Sequence, residues 1–209
     1  VATADSPQGP FTDHGKMFRS NEIGVQNSID PSFLQYEGRN YLVWGSFRGI
    51  YVIELTEDGL SLKPGAEKKR IAGTAFEAAY IHKHGDYYYM FASIGSCCEG
   101  IRSTYKVVVG RSKKVWGPYK DKSGKPMLKN GYSLVIGAND HFVGNGHGSQ
   151  IIQDDAGQDW LLYHGFSRST PENGRILLLD QIKWDQEGWP YVEGGSPSYE
   201  TQKAPVFNN

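Results

Sequence analysis

Short apolar segments, cut by polar turns that carry glycine, recur along the chain. IDPSFLQYEGRNYLVWGSF (29–47) reads as a strand, a turn at Gly38 and a second strand rich in aromatics. FEAAYIHKHGDYYYMFASI (76–94) and GHGSQIIQDDAGQDWLLYHGF (146–166) repeat that plan around Gly85 and Gly157. No stretch keeps a clean 3.6-residue apolar period over three turns, so the pattern predicts strands and little helix.

The turn glycines are offset by 47 and 72 residues, so the middle unit carries extra loop. A fainter echo links ADSPQGPFTDHGKMF (4–18) with GRSKKVWGPYKDKSGKPML (110–128), and VVVGRS (107–112) follows the middle hairpin. By that echo VATADS (1–6) reads as the third strand of an earlier unit. Four strands per unit and a pitch of roughly 40–50 residues fit the blade of a β-propeller. A sandwich or a barrel is the alternative, but neither predicts a hairpin that recurs with a polar residue at its start. The expectation is one all-β domain over residues 1–209.

Charge narrows the function classes. The chain has 22 Lys and Arg against 23 Asp and Glu, which argues against a nucleic-acid groove or an anionic-membrane surface. No apolar run approaches the roughly 18 residues of a membrane-spanning helix, so no membrane insertion is expected. VATADSPQGP shows neither the charged nor the apolar region of a signal peptide. The two cysteines, Cys97 and Cys98, are adjacent. They cannot staple distant segments, and they read as two thiols or a local turn feature, because a disulfide between neighbours is strained.

Aligned on their turns, the units place Asp30 eight residues before Gly38, Glu77 eight before Gly85, and His147 ten before Gly157. The first strand of each propeller blade lines the central channel, so this register gathers the three residues at one end of it. Each alone reads as an ordinary turn, strand-end or loop residue; their shared position is what suggests a site. Two carboxylates facing a sugar-sized pocket suit glycoside hydrolysis, in which one carboxyl protonates the leaving oxygen and the other activates water. Glu77, between Phe76 and Ala78-Ala79-Tyr80, has the apolar flanks that suit an acid; Asp30 serves as a tuner and positioner as readily as a base. Phe47 is a better candidate than Trp44 for stacking on a sugar, since most aromatics sit in strand patterns and pack blade on blade.

SIDPSF with YLVWGSF, FEAAYI with YYYMFASIGSCCEGIRSTY, VGRSKKVWGPYKDKSGKPML, GNGHGS and WDQEGWPYV together resemble glycoside hydrolase family 43, most closely its arabinan-degrading members. The likeness covers nearly the whole chain, and the SCC-x-G-x-x-STY segment is its most specific part. It implies a five-bladed propeller, of which this chain supplies about three and a half blades, and an inverting mechanism on α-1,5-linked L-arabinofuranosyl bonds. It makes Glu77 the general acid and Asp30 the residue that tunes the acid's pKa and orients substrate. It matches His147 to a channel histidine beside calcium or a similar ion, though calcium prefers oxygen, so the shell would be mostly water. It matches Arg175, in NGRILLLDQIKW, to an arginine that reaches the sugar; a surface strand charge is the plainer reading. The chain departs from the family at Ala79, where Pro is usual, and at Asn145. The family's general base lies in an HDP-like motif that has no counterpart here, so the chain is expected to be the C-terminal part of something larger, with the base and remaining blades on a separate chain after cleavage, on a partner copy, or simply absent from this polypeptide. The implied substrate is plant cell-wall arabinan or arabino-oligosaccharide, and the implied location is secreted or periplasmic. A non-catalytic sugar-binding fragment, and a relative acting on xylan or arabinofuranosyl side chains, are the competing readings.

Overall fold

The computed structural model describes residues 1–208 and is almost entirely β. The hairpin β1 (Ala2–Thr3) and β2 (Thr12–Asp13) comes first. The first complete sheet is β3 (Ser32–Tyr36), β4 (Arg39–Trp44), β5 (Ile50–Glu54) and β6 (Lys69–Ala72), an antiparallel meander in chain order. The second repeats it with β7 (Glu77–His84), β8 (Tyr87–Ile94), β9 (Lys106–Ser112) and β10 (Ser133–Ile136). In the third, the innermost position is shared by β11 (Phe142–Gly146) and β12 (Ile152–Gln153). Both pair with β13 (Asp159–Ser167), and β14 (Arg175–Trp184) and β15 (Pro190–Tyr191) follow.

These sheets are propeller blades: three complete ones and the two-stranded piece before them. The core lies between blades, as the half-buried alternation of an antiparallel meander requires. Val43, Ile50 and Ile71 of the first blade meet Phe76, Met90 and Val108 of the second. Tyr80, Phe91 and Val109 of the second meet Leu161, Tyr163 and Ile182 of the third. Aromatics fill these seams; Tyr80 and Phe91 stack at 5.2 Å, nearly parallel. Trp44 is fully buried against Phe18 and Tyr51, which leaves it unable to meet a sugar.

The supposed echo between residues 4–18 and 110–128 has a structural counterpart. Ala2 pairs with Asp13 and Thr3 with Thr12, just as Arg111 pairs with Lys120 at the end of β9. Helix is confined to one short turn, Ser20–Ile23, and a few 3₁₀ turns. Among the described residues no helix is long and apolar enough to cross a membrane.

Two expectations need correction. Turn glycines are not equivalent between the first two blades: the two-residue turns are Glu37-Gly38 and Gly85-Asp86, so aligning Gly38 with Gly85 slips the register by one. The third unit is also not a simple hairpin, because its inner strand breaks between Gly146 and Ile152.

Candidate active site

The true register is marked by backbone conformation. Asp30, Ala78 and His147 have φ of 56, 49 and 51°, left-handed values uncommon for residues with a β-carbon. Each sits where its inner strand bulges against its neighbour. Ile29 accepts a hydrogen bond from Gly45 before Ser32 pairs with Val43, Glu77 pairs with Ser93 before Tyr80 pairs with Phe91, and Gly146 pairs with His164 before Ser149 bonds Leu162. Asp30 is therefore equivalent to Ala78 and His147, and Glu77 lies one residue before its bulge. A bulge re-aims side chains locally, which separates Glu77 from the ordinary in-and-out alternation of β7.

The three candidates are nevertheless brought together. The Ala78 N–H donates to Asp30 Oδ2 at 3.1 Å, tying the first bulge to the second. The His147 N–H donates to Ser93 Oγ at 2.8 Å, and Ser93 is the partner of Glu77 in the β7–β8 ladder. Asp30 and His147 line an open cavity of about 490 Å³ with Phe33, Gln150, His164 and Leu177. Glu77 does not itself line this cavity; it is 7% exposed and precedes Ala78, which does.

Glu77 is not surrounded by the apolar residues its sequence neighbours suggest. Ser46 Oγ donates to Glu77 Oε2 at 2.7 Å, and the Tyr105 hydroxyl donates to Oε1. Ser46 and Tyr105 are themselves fully buried. A buried carboxylate needs such partners, and here two blades supply them. Burial, and then the bond to Glu77 and its charge, push the Tyr105 phenol well up, so it remains a donor. Tyr105 reaches Glu77 only because position 146 is glycine: a β-carbon there would lie 2.3 Å from Tyr105 Cδ1. Gly146→Ala is expected to cost roughly 1–3 kcal/mol of stability by overpacking and to displace the hydroxyl that holds the carboxyl. A denaturation midpoint equal to that of the parent would contradict this.

Phe47 is half-buried with φ of 51°, and its N–H donates to the Phe76 carbonyl at 2.9 Å. That bond joins the Ser46 strand end to the residue before Glu77, but Phe47 does not line the cavity. Arg175 is exposed at the start of β14, opposite Phe166.

The residues 1–190 match the family model described as glycosyl hydrolases family 43. The chain belongs to this family. Among curated family 43 relatives, the extracellular exo-α-(1→5)-L-arabinofuranosidase of Cellvibrio japonicus is 37% identical over 205 residues, covering 90% of this chain and 58% of that protein. The extracellular endo-α-(1→5)-L-arabinanase 1 of Bacillus subtilis is 36% identical over 190 residues, covering 87% of this chain and 56% of that protein. The Cellvibrio cellulosa α-L-arabinanase structure with arabinohexaose superposes with a TM-score of 0.81 at 35% identity, covering 91% of this chain and 65% of that one. The chain thus spans little more than half the length of these two curated relatives. The family 43 fold is the propeller found above.

Family 43 likeness did not point to His164, which the structure places on the cavity wall. Its ring stacks on Tyr105 at 5.6 Å and faces His147 at 6.3 Å between centroids. Both ring nitrogens are buried without a hydrogen-bond partner. Burial first, then the positive charges of Arg175 and His147, push its pKa down to about 4. A histidine held neutral when folded binds its proton more readily when unfolded. Stability is therefore expected to fall as pH drops from 6.5 toward about 4, then level off. His164→Gln should flatten that slope in urea midpoints measured across the range; an unchanged slope would contradict it.

The donor set around His147 does not form a calcium cage. Calcium takes about 6–8 oxygen ligands, whereas the neighbour of His147 is an imidazole with two free nitrogens. An ion there would rest mainly on water. Cys97 and Cys98 are joined to each other in a disulfide, which corrects the expectation of two thiols or a plain turn feature.

Proposed function

We propose that the chain carries the acid-bearing part of an inverting arabinan hydrolase acting on α-1,5-linked L-arabinofuranosyl bonds. The observation that carries this is Glu77: a buried carboxyl, gripped by two hydroxyls from residues distant in the chain, beside a bulge tied to Asp30. Such fixation is what a positioned general acid needs, and a merely solvated strand-end carboxylate would have none of it. Glu77 protonates the glycosidic oxygen as the bond breaks. Asp30 holds the Ala78 peptide, and through it the acid, and offers its second oxygen to the sugar. His147 and the cavity wall shape the sugar site. Arg175 serves as a hydrogen-bond donor to sugar hydroxyls at the rim, with Phe47 positioning the segment that carries Ser46. Water is activated by a second carboxylate, which the family resemblance assigns to an HDP-like motif outside this chain.

The substrate class rests on the names of the relatives, one an exo-acting arabinofuranosidase and one an endo-acting arabinanase, and on arabinohexaose bound in a neighbouring structure. Two relatives are named extracellular, which supports action outside the cell. The test is product analysis with the full-length protein on linear arabinan, debranched arabinan and xylo-oligosaccharides. Release of arabino-oligosaccharides or arabinose is expected, and activity confined to xylo-oligosaccharides would overturn the substrate assignment.

A further inference from the structure

At the far end of β7 from Glu77, two histidines two residues apart project from one face of the strand. The pleat puts His82 and His84 on the same side as Tyr80, toward the third blade. Facing them is Asp159, the first residue of β13, a buried carboxylate. Ligand atoms of His82, His84 and Asp159 all lie within 4.8 Å of one another. We propose that these three side chains form a binding site for a borderline divalent transition metal ion of the zinc class, stapling the second blade to the third.

The dimensions fit. Three atoms no more than 4.8 Å apart leave a central ion at most about 2.8 Å from each, against ~2.0–2.2 Å for bound zinc. Side-chain rotations that bring each atom inward by less than about 1 Å close the difference. Two imidazoles and a carboxylate, with water in the fourth position, are a donor set that suits zinc and excludes calcium or magnesium, which prefer all-oxygen shells.

The surroundings are already arranged as an outer shell. Trp184 Nε1 donates to Asp159 Oδ2 at 2.7 Å and Gln153 Nε2 donates to Oδ1 at 3.2 Å, which fixes the carboxylate. Trp184 also stacks flat on His84 at 3.6 Å and near-parallel to His82 at 6.0 Å, orienting both rings while leaving their nitrogens uncommitted. Simple aromatic packing explains the stacking on Trp184, but it does not require a buried carboxylate with an oxygen within 4.8 Å of a nitrogen of each imidazole. The two histidines are roughly 17 and 23 Å along β7 from Glu77 at the usual strand rise, so the site is separate from the sugar cavity.

The test is calorimetric titration of the chelator-treated protein with Zn²⁺, repeated with Co²⁺ to record its ligand-field spectrum, and thermal unfolding with and without Zn²⁺. Binding of one equivalent, a higher Tm and a tetrahedral Co²⁺ spectrum are expected. His84→Gln and Asp159→Asn should each weaken binding at least about tenfold, as disturbing a ligand or its shell does, while His147→Gln leaves it unchanged. Should Asp159→Asn fail to fold by circular dichroism, His82→Gln at a half-exposed position takes its place. Absence of binding, binding only at millimolar metal, or binding that survives His84→Gln and is lost in His147→Gln would overturn the proposal.

Discussion

Glu77→Gln in the full-length protein is expected to lower kcat on linear arabinan by about 10²–10⁴-fold, the usual contribution of a general acid. KM should change little, because the amide keeps the shape of the side chain: its oxygen accepts from one of the two hydroxyls of Ser46 and Tyr105, and its NH2 donates to the oxygen of the other. The fold should persist for the same reason. What is lost is the transferable proton. A rate within a few-fold of the parent would mean that Glu77 is a buried structural carboxylate and no more. A variant that loses substrate affinity but keeps kcat would instead make it a binding residue. Steady-state kinetics on a defined arabino-oligosaccharide separate these three results.

Phe91→Ala should produce the largest loss of stability, roughly 3–5 kcal/mol, as expected for removing a buried phenylalanine. Phe91 is fully buried on β8 at the seam between the second and third blades. It stacks on Tyr80 of β7, two residues from the Ala78 bulge, and meets His82 edge-on at 6.5 Å. Its neighbours come from strands of two sheets that cannot close together without shifting the site, so the cavity would persist. Against a total of roughly 5–15 kcal/mol for ordinary domains, that loss would leave a substantial unfolded fraction at physiological temperature. Urea midpoints measure it; a change below about 1 kcal/mol would show that this seam is not a cooperative part of the core.

Much of the architecture was legible because blades are local. The hairpins β3–β4 and β7–β8 announce themselves through period-two apolarity and glycine turns, and their pitch identifies the unit. Register was not legible to one residue. Gly38 and Gly85 occupy different places in their turns, and nothing in composition reveals that the left-handed position falls on Asp30 and Ala78. The broken inner strand of the third blade was hidden too, since Gly146 is chosen by the Tyr105 ring from a neighbouring blade.

The site shows the same division. Asp30, Glu77 and His147 could be gathered from repetition alone. The hydroxyls that hold Glu77 could not, although both lie in segments that carry the family likeness: Ser46 ends YLVWGS and Tyr105 ends the STY that follows the cysteine pair. Contacts between blades have no fixed sequence spacing. His164 gave no signal, because a histidine within LLYHGF resembles any strand residue until its partners are known. His82 and His84 were visible as a pair, but Asp159 lies too far along the chain to be joined to them by pattern.

The central claim is that Glu77 delivers the proton to the departing sugar. The most direct measurement compares parent and Glu77→Gln on two arabino-oligosaccharide glycosides, one with an alkyl and one with a dinitrophenyl leaving group. If Glu77 is the general acid, the variant is severely impaired on the alkyl glycoside and close to parental on the dinitrophenyl one, whose leaving group needs no proton. Equal impairment on both would contradict the account.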